Sequence, residues 1–178
     1  MKKDFRYKIY CGGRFCFDCR EGGFEEKASN DYRAILLGDV ATMLKLGDIP
    51  CVSVNEEVLY VGPFYFETEN MSAEEIIKCE VKMIESCTDA IFLLDTAECP
   101  GTIAELMLAN SLGKRLHLFY INSYEHTETE SEMHTPCWYP LHFCAMTNLD
   151  AILYPCPDFE VAVKKIQSIV RSLGKTIG

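Results

Sequence analysis

Five apolar residues in a row, Ala90-Ile91-Phe92-Leu93-Leu94, stand between Asp89 and Asp95. A run of strand length with no polar position has no solvent face, so it reads as a central parallel strand covered by helices on both sides. Pro100 and Gly101 break the run, and Thr102 begins a stretch with Ile103, Ala104, Leu106, Met107, Leu108, Ala109 and Leu112. That stretch is apolar nearly all round, which predicts a helix buried on more than one side, closed by Gly113 with Lys114 and Arg115 behind it. A strand, a turn and a buried helix place a candidate site at the turn, because open α/β sheets hold ligands beyond the carboxyl ends of their strands.

Glu105 is the one ionisable side chain from Thr102 to Leu112. A buried carboxylate is costly unless it is paired, hydrogen-bonded or kept for chemistry. Two readings stand side by side. Thr102 and Glu105 have the spacing of a capping box, in which Glu105 bonds back to the backbone at the helix start. Alternatively the helix N-terminal dipole keeps Glu105 ionised and aimed into the crevice, where a fixed carboxylate is a nucleophile.

With 178 residues, 48% of them hydrophobic, and no Pro/Gly/Ser-rich linker or repeat, residues 1–178 read as a single domain. A net charge of −10 argues against a nucleic-acid polymer as partner and leaves a small ligand. The opening MKKDFRYKIYCGG enters a strand at once, with neither a signal peptide nor a membrane span, so the expected setting is the cytosol. In that setting the ten cysteines are expected as reduced thiols, with Cys11, Cys51, Cys79 and Cys87 packed as small hydrophobes. Cys16 and Cys19 form one CxxC, but Cys137, Cys144, Cys156 and four scattered histidines do not complete a zinc pattern, so no metal and no other cofactor is expected.

Tyr7 to Cys11 reads as the first strand, running into Gly12-Gly13-Arg14-Phe15. Two glycines let backbone approach a ligand and Arg14 offers a planar fork of donors, although a plain tight turn fits the same residues. The polar stretch from Phe17 to Asn30 reads as a long exposed loop or lid. Apolar residues recur at helical spacing from Tyr32 to Leu46 before Gly47 and Pro50, which predicts an amphipathic helix. Val58 to Val61 reads as a strand leading to a turn at Gly62-Pro63-Phe64, and Ser72 with Glu75 as a capping box. The helix it opens should turn Ile76, Ile77, Val81 and Ile84 to the core. Asp89 reads as a strand-start residue facing solvent and His117 as structural; Leu116 to Ile121 is a strand parallel to the central one. Tyr124 to Pro136 is a polar loop, Ala151 to Tyr154 a last strand, and Phe159 to Leu173 a closing amphipathic helix. The alternation predicts a doubly wound, three-layer α/β fold of the Rossmann or flavodoxin kind, with a mainly parallel sheet of about five strands.

Ile9-Tyr10-Cys11-Gly12-Gly13-Arg14-Phe15, and later Gly101-Thr102-Ile103-Ala104-Glu105-Leu106-Met107-Leu108-Ala109 followed by Leu112-Gly113-Lys114, resemble the nucleoside 2-deoxyribosyltransferase family, whose pattern has a strand and Gly-containing loop, then G-T-x-x-E-x-x-x-A. By that resemblance the chain acts on a nucleoside or nucleotide, with Glu105 the nucleophile that takes the deoxyribosyl group. Gly12, Gly13, Arg14, Phe15, Cys99, Gly101 and Thr102 would then line the substrate. The aspartate the family carries six residues before the glutamate falls on Cys99, with Glu98 beside it, and its upstream carboxylate falls near Glu80 if one residue is inserted before Asp89. The family's C-terminal tail completes a neighbouring subunit's site, which implies a homo-oligomer, although Gly174 to Gly178 brings no side-chain carboxylate or aromatic group. Three activities follow from these residues: sugar transfer between bases, N-glycoside hydrolysis of a nucleoside or its 5′-monophosphate, or nucleotide sensing without catalysis.

Overall fold

The computed structural model describes residues 5–13, 33, 43–63, 71–94, 100–121 and 138–173. Seven strands form one sheet: β1 Tyr7–Gly13, β2 Met43–Leu46, β3 Ile49–Ser53, β4 Val58–Gly62, β5 Asp89–Leu94, β6 Arg115–Ile121 and β7 Ala151–Cys156. Their order across the sheet is β2-β3-β4-β1-β5-β6-β7. The five strands from β4 to β7 in that order are parallel, and β2 and β3 join β4 as an antiparallel hairpin. Among the described residues the strand count is therefore seven where about five were expected, and the hairpin is the difference.

The hairpin also corrects the reading of Tyr32 to Leu46 as one helix. Met43 to Leu46 pairs with Ile49 to Val52 across a two-residue turn at Gly47-Asp48, and Gly47 sits at φ 65°, where a side chain would be strained. Leu44 follows Val40 and Ala41 at helical spacing, but Leu46 stands two residues from Leu44, which is strand spacing, and the Gly-Asp turn decides for the strand.

Four helices have described bounds: α1 Ala73–Ser86, α2 Pro100–Ser111, α3 Trp138–Thr147 and α4 Phe159–Ser172. Side chains of α1, α2 and α3 fill one core with Tyr10, Leu59, Val61, Ala90, Phe92, Leu94, Leu116 and Leu118 of the sheet. On the opposite face Ala162, Val163, Ile166 and Val170 of α4 pack on Ile9, Ile91, Leu93 and Phe119. All six residues of β5 are buried, as its unbroken apolar run requires. No helix among the described residues is long and apolar enough to cross a membrane.

The Ser72/Glu75 capping box is present: Ser72 N donates to Glu75 Oε2 at 2.8 Å and Glu75 N to Ser72 Oγ at 3.3 Å. Of the residues expected on the inner face of α1, Ile84 is buried, with Met83, whereas Ile77 is 58% exposed. Cys11, Cys51 and Cys87 are buried, but Cys79 is exposed on α1. Cys144 and Cys156 lie in the cores on opposite faces of the sheet, so they cannot share an ion.

Asp89 does not face solvent. It is buried at the start of β5, accepting from Thr88 Oγ1 at 2.7 Å and Arg115 Nη1 at 3.1 Å, with His117 Nε2 at 3.4 Å. His117 Nδ1 lies 3.3 Å from the Tyr154 hydroxyl, so the imidazole links three neighbouring strands. Burial alone would raise the Asp89 carboxyl, but the hydrogen bonds from His117 and Thr88 and the Arg115 charge outweigh it and hold the group below its ordinary range.

Candidate active site

The chain leaving β1 returns through the hairpin to β4 on one side, and the chain leaving β5 returns through α2 to β6 on the other. The connections therefore diverge between the carboxyl ends of β1 and β5, the switch point where such sheets open a crevice. Gly12 and Gly13 end β1 there, and α2 starts there.

Strand alternation turns Tyr10 and Gly12 to the face that carries α1 and α2. Gly12 has no side chain because there is no room for one. A β-carbon built on it would overlap the Phe92 ring and stand 3.0 Å from Glu105 Oε2. The Glu105 carboxylate thus rests on the bare backbone of β1. Helical periodicity brings it there: Leu106 and Ala109 bury the adjoining stripe of α2 against the sheet.

Neither expectation for Glu105 survives in its simple form. Thr102 is already the third residue of α2 and is buried, so it does not stand at a cap position with Glu105 three residues inside. Glu105 is the sixth helical residue, beyond the first turn over which the dipole acts strongly. Burial and the nearby Glu80 charge instead push its carboxyl up to about 7, against weaker lowering by Tyr10 and Arg33. Near neutral pH it is poised between the acid and the carboxylate.

Glu80, on α1, is half-buried, and burial raises its carboxyl while the Arg33 charge lowers it. The Glu80 charge disfavours ionisation of Glu105, and two carboxylates in such unequal surroundings are the arrangement that separates an acid from a base. Tyr10 completes the inner wall. Its hydroxyl is buried and pushed well up by burial and by the charges of Glu105 and Glu80. It lies close enough to Glu105 to lower that carboxyl, yet no partner meets full hydrogen-bonding geometry among the described residues. The contact is a long one that a bound ligand can shorten. Its ring lies 6.2 Å from that of Phe92 at 48°.

The structure thus brings Glu105, Glu80 and Gly12 together, with Gly13 at the strand end. Gly101 is exposed on the first turn of α2, with open space where a side chain would begin, whereas the Thr102 side chain is buried. Arg14, Phe15, Glu98 and Cys99 lie outside the described residues. Two participants went unread in the sequence. Tyr10 was legible through its period-two relation to Gly12; Arg33, in helical backbone far from any motif, left no signal.

No protein-family model matches the sequence, and no curated protein matches it either. Solved structures do resemble it. A CMP N-glycosidase of Clostridium botulinum, BcmB, superposes with a TM-score of 0.53 at 11% identity, covering 91% of this chain and 98% of that one. A conserved protein of Enterococcus faecalis V583 gives 0.53 at 9% identity, covering 93% and 98%. Translation elongation factor SelB of Methanococcus maripaludis gives 0.52 at 10% identity, but 35% of that chain is covered. At these identities the likeness establishes the α/β fold.

Proposed function

We propose that this chain is an enzyme that breaks the N-glycosidic bond of a nucleoside or nucleoside 5′-monophosphate, with Glu105 taking the sugar. The observation that carries the reading is the seat of Glu105: a partly buried carboxylate resting on Gly12 at the switch point, beside Tyr10 and electrostatically coupled to Glu80. The same layout as BcmB, over nine-tenths of both chains, supports the reaction class and favours a nucleotide with water as acceptor. The motif resemblance supports deoxyribosyl transfer to a second base.

Both outcomes share a first step. The C1′–N bond breaks with its electron pair going to the base, while a Glu105 oxygen bonds to C1′ and traps the developing oxocarbenium ion. The leaving base gains a proton. With Glu105 ionised for attack, that proton comes from Glu80, whose carboxyl burial raises above its ordinary range while the Arg33 charge opposes it. In the second step water, or the nitrogen of another base, attacks C1′, releases Glu105 and gives up a proton to Glu80. Arg14 would receive a 5′-phosphate, and Glu98 or Cys99 would stand in the turn that meets the sugar. Small nucleosides or nucleotides are the proposed partners, with no cofactor.

The test is to incubate the protein with CMP, dCMP and each deoxynucleoside, with and without adenine as acceptor, and follow free base and new nucleoside. Glu105→Gln should lower turnover by about a thousandfold or more, with the fold retained. A sugar adduct on Glu105 in the wild type, seen by intact mass, is the expected intermediate. Ligand binding without any cleavage would instead make the protein a sensing module.

A further inference from the structure

We infer that Arg33 is the positioning residue of the carboxylate pair: it pins the strand end on which Glu105 is seated and supplies the positive charge that both carboxylates face. The inference rests on the reading of Glu105 and Glu80 as the reacting pair.

The geometry begins with register. β1 pairs with β5 as far as Gly13 opposite Leu93, but with β4 only as far as Tyr10 opposite Gly62. Its last residues therefore run past the neighbouring strand on one flank. Cys11 and Gly13, two apart, point their carbonyls the same way. Arg33 Nη1 donates to both, at 3.1 Å to Cys11 O and 3.5 Å to Gly13 O. A guanidinium thus stands where the sheet has stopped supplying donors. The residue between those carbonyls is Gly12, whose bare backbone carries Phe92 on one side and Glu105 Oε2 on the other. A tilt of this strand end would either crowd the carboxylate or open a gap beneath it.

Arg33 is 1% exposed, so water does little to screen its charge. The charge lowers both Glu80 and Glu105, opposing the burial of each and the effect of Glu80 on Glu105. The groups that set the Glu105 titration are Glu80 from α1, Tyr10 from β1 and Arg33; Tyr60 of β4 acts on Tyr10 behind them. Arginine suits the place because its fork serves two carbonyls while keeping its charge when buried, whereas a lysine there readily loses its proton.

The experiment follows the side-chain carboxyl carbon of Glu105 by NMR as pH is varied, with the signal assigned by its loss in Glu105→Gln. Arg33→Gln should move the Glu105 titration upward by about one pH unit or more, and Arg33→Lys should move it less in the same direction. The alkaline shift should reappear in the pH profile of N-glycosidic cleavage, with kcat falling more than KM rises. A merely structural arginine would lower the melting temperature and leave the titration in place; that result in Arg33→Gln overturns the inference. Should Arg33→Gln fail to fold, Arg33→Lys decides, and unchanged titration with unchanged rate overturns it. Absence of cleavage by the wild type would sink the functional reading, while the NMR titration would still judge Arg33.

Discussion

Glu105 is an expensive residue for the fold, and its cost has a pH signature. Its carboxyl rises from an ordinary 4.5 to about 7 in the folded protein, so between those values the native state holds a proton that the unfolded chain has released. Stability from this group is full below about pH 4.5 and declines as pH rises toward 7, by about 3 kcal/mol in all. Glu105→Gln should therefore raise the melting temperature at pH 8 by several degrees and change it little at pH 5, measured calorimetrically, while abolishing turnover. Gly12 gives a complementary test. Gly12→Ala forces a β-carbon against Phe92 and Glu105, and should cost about 1–3 kcal/mol together with most activity. Gly101→Ala meets open space and should stabilise the ligand-free protein by up to about 1 kcal/mol; a rise in KM would then show that a ligand passes close to that backbone. The sequence made Glu105 conspicuous because a lone charge in an apolar helix is rare. It could not show the sign of its pKa shift, which is set first by burial in the folded chain and then by Glu80, arriving from another helix, against Tyr10 and Arg33.

At the scale of elements, β5 announced itself because burial on both faces leaves an unbroken apolar run, and α2 because it is apolar nearly all round, although only Thr102, Leu106 and Ala109 of it are buried. The β2–β3 hairpin was hidden, since Leu44 extends the helical spacing of Val40 and Ala41 and the turn Gly47-Asp48 is short. Nor did α3 declare itself: it has no charged residue to mark a solvent face, and Pro140 lies in its first turn, where a missing amide is harmless. Asp89 misled for another reason. A charged residue at a strand start ordinarily reaches water, and the partners that bury it, Arg115 and His117, come from the next strand. Asp89→Ala should cost about 2–4 kcal/mol by stranding His117 and a half-exposed Arg115. Because the wild-type carboxyl is held below its ordinary 3.8, its stabilisation is present above that value and lost as pH falls below it. Acid unfolding monitored by circular dichroism should begin at higher pH in a Thr88→Ala variant, which removes the 2.7 Å hydrogen bond.

For the molecule as a whole, the five parallel strands set the switch point, and one sheet end carries the carboxylate pair while the other is locked by the Asp89 network. Chemistry and anchoring are thus separated along the strand direction. Cleavage through Glu105 requires its ionised form, so kcat/KM should rise with pH through about 7 in the free enzyme. A rate independent of pH between 6 and 8 would remove Glu105 from the reacting role.

A sheet also has two rims, and a rim of unpaired backbone is a template for another chain. Among the described residues one rim is β2, four residues long with Lys45 among them, and the other is β7, where Pro155 has no amide to offer and its carbonyl accepts Lys165 Nζ at 3.0 Å. Both terminate growth in the hydrogen-bonding direction. A protein so rich in apolar strands should consequently remain dispersed when concentrated, and the double variant Pro155→Val with Lys165→Ala should shorten the lag before fibrils bind thioflavin.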